Sequence, residues 1–302
     1  MFMPGRSAPL LGVRIAQSPD QGWLIAIRIS AMTSFRAASL EIGRGIIMKV
    51  CVLVGPVLAV VLGGCSWVLT QQVAREEPAN LVVSLPNPKV LLVRQTEDFV
   101  ISGRGDASAW MKANWERLHL RNADGHQYET RIKMLYSKSG LYVLMEAEDR
   151  TITAAMNEDF LDLWNEDVFE FFFWPDEQYP VYFEYEISPL GFELPILIPN
   201  FGGEFLGWRP WHYEGMRRTQ RATTVMGGSK QSGAHVTGWK AEVFVPYDLL
   251  KPLQNVPPKH QARWRANFYR VDYDEGKTTS WDWARVGTSF HEFEKFGTLI
   301  FE

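Results

Sequence analysis

At 302 residues, with 46% hydrophobic and 22% charged side chains, the chain has the make-up of a globular protein. A net charge of −4 argues against a nucleic-acid binder, which needs a basic face to neutralise phosphates. With two cysteines in all, Cys51 and Cys65, a disulfide framework and a cysteine-built zinc site are both ruled out.

Taken in chain order, the first feature is "MKVCVLVGPVLAVVLGGC", from Met48 to Cys65. Lys49 is a short basic head, Val50 to Leu62 an apolar stretch, and Leu62-Gly63-Gly64-Cys65 has the form of a bacterial lipobox. The stretch is short for a membrane-spanning helix and reads as a lipoprotein signal peptide. Residues 1–64 are then a mis-set start followed by the removed signal, and lipid would sit on Cys65. Residues 65–96, with Pro78, Pro86 and Pro88, read as a tether. The expected folded domain is 97–302. A lipid anchor would place it in the bacterial cell envelope, in the periplasm, on the outer membrane or at the cell surface.

Alternation dominates after residue 97. "DFVISG" (98–103) reads as a short strand, and 106–114 as a helical turn carrying Trp110 in the core. "ETRIKMLYS" (129–137) and "GLYVLMEAED" (140–149) form a hairpin. "VYFEYEI" (181–187) and "FELPILI" (192–198) form a second pair around Pro189-Leu190-Gly191. "TGWKAEVFVPY" (237–247) and "RWRANFYRVDY" (263–273) are long strands, "YDLLKPL" (247–253) a short helix, and "FGTLIF" (296–301) the last strand. Many strands with turn-rich spacing and no long amphipathic helix predict an all-β fold, an antiparallel β-sandwich or jelly roll with short helical turns.

The aromatic content is high: 12 Trp, 10 Tyr and 18 Phe. It peaks in "LWNEDVFEFFFW" (163–174), which also carries three acids. Strand side chains alternate between faces, so Phe169, Phe171 and Phe173 point one way and Glu170, Phe172 and Trp174 the other. In 181–187 the same split puts Tyr182, Glu184 and Glu186 opposite Phe183, Tyr185 and Ile187. A mixed aromatic–acidic sheet face suits a polyol: rings stack on sugar C–H faces and carboxylates accept from hydroxyls. A salt bridge from Glu170 to Arg265 or Arg270 is the structural alternative. Trp208 and Trp211, in "GWRPWHY" (207–213), either cap such a site or pack down. Arg104-Gly105-Asp106 is explained by a turn, and the six histidines show no metal-ligand spacing.

The chain resembles the family 9 carbohydrate-binding modules from about residue 98 to 302. The resemblance rests on Gly103, Asp106 and Trp110 of "ISGRGDASAWMKA", the hairpin "TRIKMLYSKSGLYVLMEAED", and Trp164, Asp167 and Glu170 of "LWNEDVFEFFFWPD". "YFEYEISPLG", "GWKAEVFVPYDLL", "RWRANFYRVD" and "FHEFEKFGTLIF" follow in the family's order. It implies a β-sandwich that binds sugar without cleaving it, holding a ring between two tryptophans. Trp164 matches the first tryptophan and Glu170 the carboxylate. The second would come from "TSWDWARVG", as Trp281 or Trp283, with Trp281 preferred. The family's arginine ligand has no clear match near 184–192.

The expected carbohydrate-binding residues are thus Trp164, Glu170, Trp281, Trp283, Tyr182, Glu184, Trp208 and Trp211. No cofactor is expected beyond the structural calcium that family members hold, for which Asp149 and Asp167 are weak candidates. The expected partners are a mono-, oligo- or polysaccharide and, through the lipid, a membrane. Two other readings stay open: a glycoside hydrolase pairing Glu170 with Glu184 or Glu186, and a haem-b-binding sandwich of the kind found in periplasmic redox subunits.

Overall fold

The computed structural model describes residues 89–302 with their side chains. Before that it describes only the backbone of four strands: Gly12–Ser18 pairs with Gly22–Arg28, and Ala38–Ile42 with Ile46–Val50. Two compact units result, residues 1–79 and 80–302. The strand Ile46–Val50 includes the first three residues of the expected signal peptide; the rest of it, Cys65 included, lies outside the described residues. Among the described residues no helix is long and apolar enough to cross a membrane.

Eleven strands of four or more residues carry the second unit. They are β1 (Val90–Gln95), β2 (Thr130–Tyr136), β3 (Gly140–Glu148), β4 (Val168–Trp174), β5 (Val181–Ile187) and β6 (Glu193–Phe201). They continue as β7 (Gln220–Met226), β8 (Gly238–Pro246), β9 (Arg263–Asp272), β10 (Thr279–Asp282) and β11 (Gly297–Phe301). One sheet runs β6-β5-β4-β9-β11-β1 and the other β1-β2-β3-β8-β7, with β10 added to the free flank of β9. Strand β1 belongs to both. Its first four residues pair with β11 and its last two with β2, in parallel each time, while the other pairs of the two sheets are antiparallel. This is the expected β-sandwich, with two parallel pairings that alternation alone does not reveal.

Parity decides what lies between the sheets. Phe169, Phe171, Phe173, Phe183, Tyr185 and Ile187 from the first sheet meet Ile132, Met134, Leu141, Val143, Met145, Trp239, Ala241 and Val243 from the second. Phe169 stacks on Trp239 with ring centroids 3.7 Å apart, bridging the two layers. All seven residues of β4 are buried, so its even face must be covered as well. That cover comes from loops carrying Leu163, Trp164, Trp208, Phe290, Phe293 and Phe296.

The outer face of the second sheet is covered by the segment that opens the domain. Residues 98–103 form no strand. They run as a loop, with Phe99 stacked on Tyr142 (4.2 Å), followed by a 3-10 turn, Ser108–Lys112, that buries Trp110. Glu242, fully buried on the even face of β8, holds this segment down. It accepts hydrogen bonds from Ser102 N (2.9 Å), Gly103 N (2.5 Å) and Trp110 Nε1 (2.6 Å). Gly103 is required there: its φ is +79°, and a Cβ would lie 2.9 Å from the Ala222 carbonyl carbon. Glu242→Gln replaces one acceptor oxygen by an N–H donor, so one of the three donors is left facing a donor. A loss of about 2 kcal/mol is expected in urea unfolding, with faster tryptic cleavage after the exposed Arg104.

One boundary and two strands differ from the sequence reading. The tether expected over 65–96 ends earlier, because Val90–Gln95 is a sandwich strand with Leu91 and Val93 in the core. Strands β7 and β10 were not anticipated. The sequence of β7, "QRATTVM", sits at a sheet edge with no fully buried residue, so its apolar alternation is weak.

Candidate functional site

The even face of β4 and β5 is the floor of a cavity of about 460 Å³. Glu170 faces it from β4, and Glu184 and Glu186 from β5. Glu170 pairs directly across the strands with Glu186, and Phe172 with Glu184, so the three carboxyls form one group on one wall. Ile196 and Ile198 of β6 and Val271 of β9 extend the floor. Trp164, Phe205, Trp208, Tyr273, Phe290 and His291 form the rim. The volume falls in the lower half of the usual range for small-molecule sites, roughly 300–1,000 Å³.

Trp164 and Trp208 stand at a corner, with ring centroids 5.5 Å apart and planes 71° to one another. Trp164 is set by a 3-10 turn, Leu163–Asn165, whose Leu163 is buried, and by Tyr273, whose hydroxyl donates to the Trp164 carbonyl (2.7 Å).

The electrostatics are those of dry carboxyls. Glu170 is fully buried without an ion pair; burial pushes its carboxyl up to about 8, opposed only by the positive charge of Arg121. Burial and mutual repulsion raise Glu184 and Glu186 well above the ordinary carboxylate range. Glu184 Oε2 and both carboxyl oxygens of Glu186 have no hydrogen-bond partner. His291 lies with Nδ1 3.8 Å from Glu184 Oε2, but burial lowers it to about 4. His291 is thus uncharged at pH 7, and the pair is a contact rather than a salt bridge. His291 Nδ1 also shares a hydrogen bond of 2.7 Å with the Tyr182 hydroxyl.

Of the residues singled out in the sequence, the cavity brings together Trp164, Glu170, Glu184 and Trp208. Tyr182 lies behind the wall, fully buried, and acts on the cavity through His291. Trp211 packs against the core and donates its Nε1–H to the Leu249 carbonyl (3.0 Å), away from the cavity. Trp281 and Trp283 are corrections. Both are core residues, 1% and 0% exposed, and neither lines this cavity, while Trp281 borders a second one beside Tyr128 and His119. Register explains Trp281: it pairs with Arg270 on β9, which pairs with Phe169, so all three share the inner face. Trp283 packs edge-on against Phe268, and Gly297 is needed beside it, since a Cβ there would lie 2.2 Å from the indole. The tryptophan that meets Trp164 at the rim is Trp208.

The proposed ion pair from Glu170 to Arg265 or Arg270 is also absent. Arg265 donates to the carbonyls of Glu294 and Phe296. Arg270 points inward, where its Nη2 meets Asp149 (3.1 Å) and Asp272 (2.5 Å) with all three side chains fully buried. Phe205, Tyr273, Phe290 and His291 were missed; the last two lie in the "FHEF" stretch, where a histidine between phenylalanines was the available signal.

Among the described residues the acids fit calcium poorly. Asp149, Asp272 and Asp274 do bring carboxylate oxygens within 4.8 Å of one another. However, the Arg270 guanidinium already supplies the positive charge between Asp149 and Asp272, and the Tyr128 hydroxyl donates to Asp274 (2.6 Å). Asp167 spends one oxygen on Thr153 N (2.6 Å) and the other on Tyr273 N (3.0 Å). Burial raises Asp149 to about 7 and Asp167 to about 8, which opposes the charge a cation needs from them.

Fold and cavity together define a β-sandwich with an aromatic and acidic cavity on one outer sheet face. Residues 101–193 match the model of the carbohydrate family 9 binding domain-like family. This bears out the resemblance to family 9 modules found in the sequence. A protein from Bacteroides uniformis, proposed to bind carbohydrate, superposes with a TM-score of 0.60 at 16% identity, over 71% of this chain and all of its own. A family 9 carbohydrate-binding module from Caldicellulosiruptor kristjanssonii superposes with a TM-score of 0.51 in two complexes. With cellotriose it shares 15% identity and is covered over 94% of its length; with glucose the figures are 14% and 96%, each over 71% of this chain. Among curated protein sequences none matches significantly.

Proposed function

We propose that the cavity binds a sugar without cleaving it. The observation that carries this reading is the Trp164–Trp208 corner standing over three carboxyls on one sheet face. Indole faces suit sugar C–H surfaces, and the carboxyls suit hydroxyl donors. Cleavage would need two carboxyls on opposite sides of a glycosidic bond. Here Glu170, Glu184 and Glu186 project side by side from adjacent strands, an arrangement that favours recognition over hydrolysis. The structures with cellotriose and with glucose make those two sugars the first ligands to try.

A sugar face on one indole removes about 80 Å² of apolar surface, worth about 2 kcal/mol. Trp164→Ala is therefore expected to weaken binding about 30-fold in calorimetry. Unchanged affinity would remove the cavity from the reading. The envelope location is part of the same proposal: lipid on Cys65 would hold the sandwich at a membrane surface, and loss of palmitate labelling in Cys65→Ala tests it.

A further inference from the structure

Sugar stacking accounts for the two tryptophans. It does not account for the carboxyls beneath them. Glu170, Glu184 and Glu186 are 2%, 4% and 0% exposed, and three of their oxygens have no hydrogen-bond partner. Burial favours their neutral form, which donates as well as accepts, whereas a cation seated against them favours the ionised, acceptor-only form. No lysine or arginine is among the lining residues. Arg121, whose guanidinium lies over Phe290 at 4.8 Å, acts on Glu170 from outside the lining, and His291 is neutral. The missing complement is a compact positive group rich in N–H donors.

An ammonium has three N–H donors and no acceptor. It is also drawn to aromatic faces, which Trp164, Phe205, Trp208 and Phe290 supply around the rim. We propose that the cavity selects a sugar bearing a free primary amine, with the ammonium against Glu184 and Glu186 and the ring against Trp164 and Trp208. This rests on the sugar reading and narrows it. Acylation of the amine removes the charge and two donors, and a uronic acid would place like charge on the carboxyls, so both are discriminated against.

Titration calorimetry at pH 7 with D-glucosamine, D-glucose and N-acetyl-D-glucosamine tests the selection. Glucosamine is expected to bind at least ten-fold more tightly than either of the others. In Glu186→Gln that ratio is expected to fall to within three-fold, and Glu184→Gln is the second variant if the first does not fold. Glucose or N-acetylglucosamine binding as tightly as glucosamine overturns the amine proposal and leaves the sugar reading standing. So does a ratio unmoved in the variant. If none of the three sugars nor cellotriose binds, the sugar reading itself falls.

Discussion

Arg270→Met is expected to lower the unfolding free energy by about 3–5 kcal/mol at pH 8, the usual cost of stranding buried charges by removing their partner. The guanidinium ties the two sheets together at one end. It bonds Asp149 and Asp272, donates to the Glu148 carbonyl (2.6 Å), and lies over the Trp281 ring at 4.6 Å. Methionine fills much of the volume but leaves the acids uncompensated. The deficit depends on pH. Burial already raises Asp149 to about 7, and without Arg270 its pKa rises further, so at pH 5 the variant's Asp149 is protonated and neutral. The difference in urea midpoint between parent and variant should therefore be larger at pH 8 than at pH 5. Equal midpoints at both values would show that Arg270 does not carry this group.

Glu170→Gln should act in the opposite direction. The carboxyl titrates near 4.5 when exposed and at about 8 in the folded chain, so the folded state binds more protons between those values. Its contribution favours folding fully below 4.5 and is lost progressively as pH rises towards 8. Each unit of the raised pKa corresponds to about 1.4 kcal/mol, so the cumulative loss approaches about 5 kcal/mol when the shift is taken whole. Glutamine keeps the shape and never ionises. The variant should thus match the parent near pH 5 and exceed it by at least about 1 kcal/mol at pH 8 in urea unfolding. A variant weaker than its parent at pH 8 would mean that Glu170 is held ionised by a partner.

Much of this could be read from the chain. Parity in 167–174 and 181–187 separated the phenylalanines of the core from Glu170, Glu184 and Glu186, because a side-chain period of two leaves no freedom once one face is buried. The motif around Trp164 located one wall of the cavity. What failed were inferences about loops and about strands whose pairing was unknown. Trp281 looked available because "TSWDW" reads as a loop, but the segment is β10, and its pairing with β9 turns the indole inward. Trp208 could not be separated from Trp211, since sequence does not say which side of a loop packs down. For Glu170 an ion pair to Arg265 or Arg270 was the alternative to a binding role, whereas register sends Arg270 to the opposite face.

Strand β1 has a consequence for how the domain comes into being. It is the first strand of the sandwich to be synthesised, and four of its six residues pair with β11, the last. Until residues 298–301 have emerged, β1 can hold only its short pairing with β2, and the seam between the sheets stays open. Closure thus waits for β11 and spans about two hundred residues of loop, which places folding in the slow, milliseconds-to-seconds regime of non-local β pairing. Through that interval Val90 and Leu92 sit on an unpaired apolar strand, the kind of surface that invites a wrong neighbour.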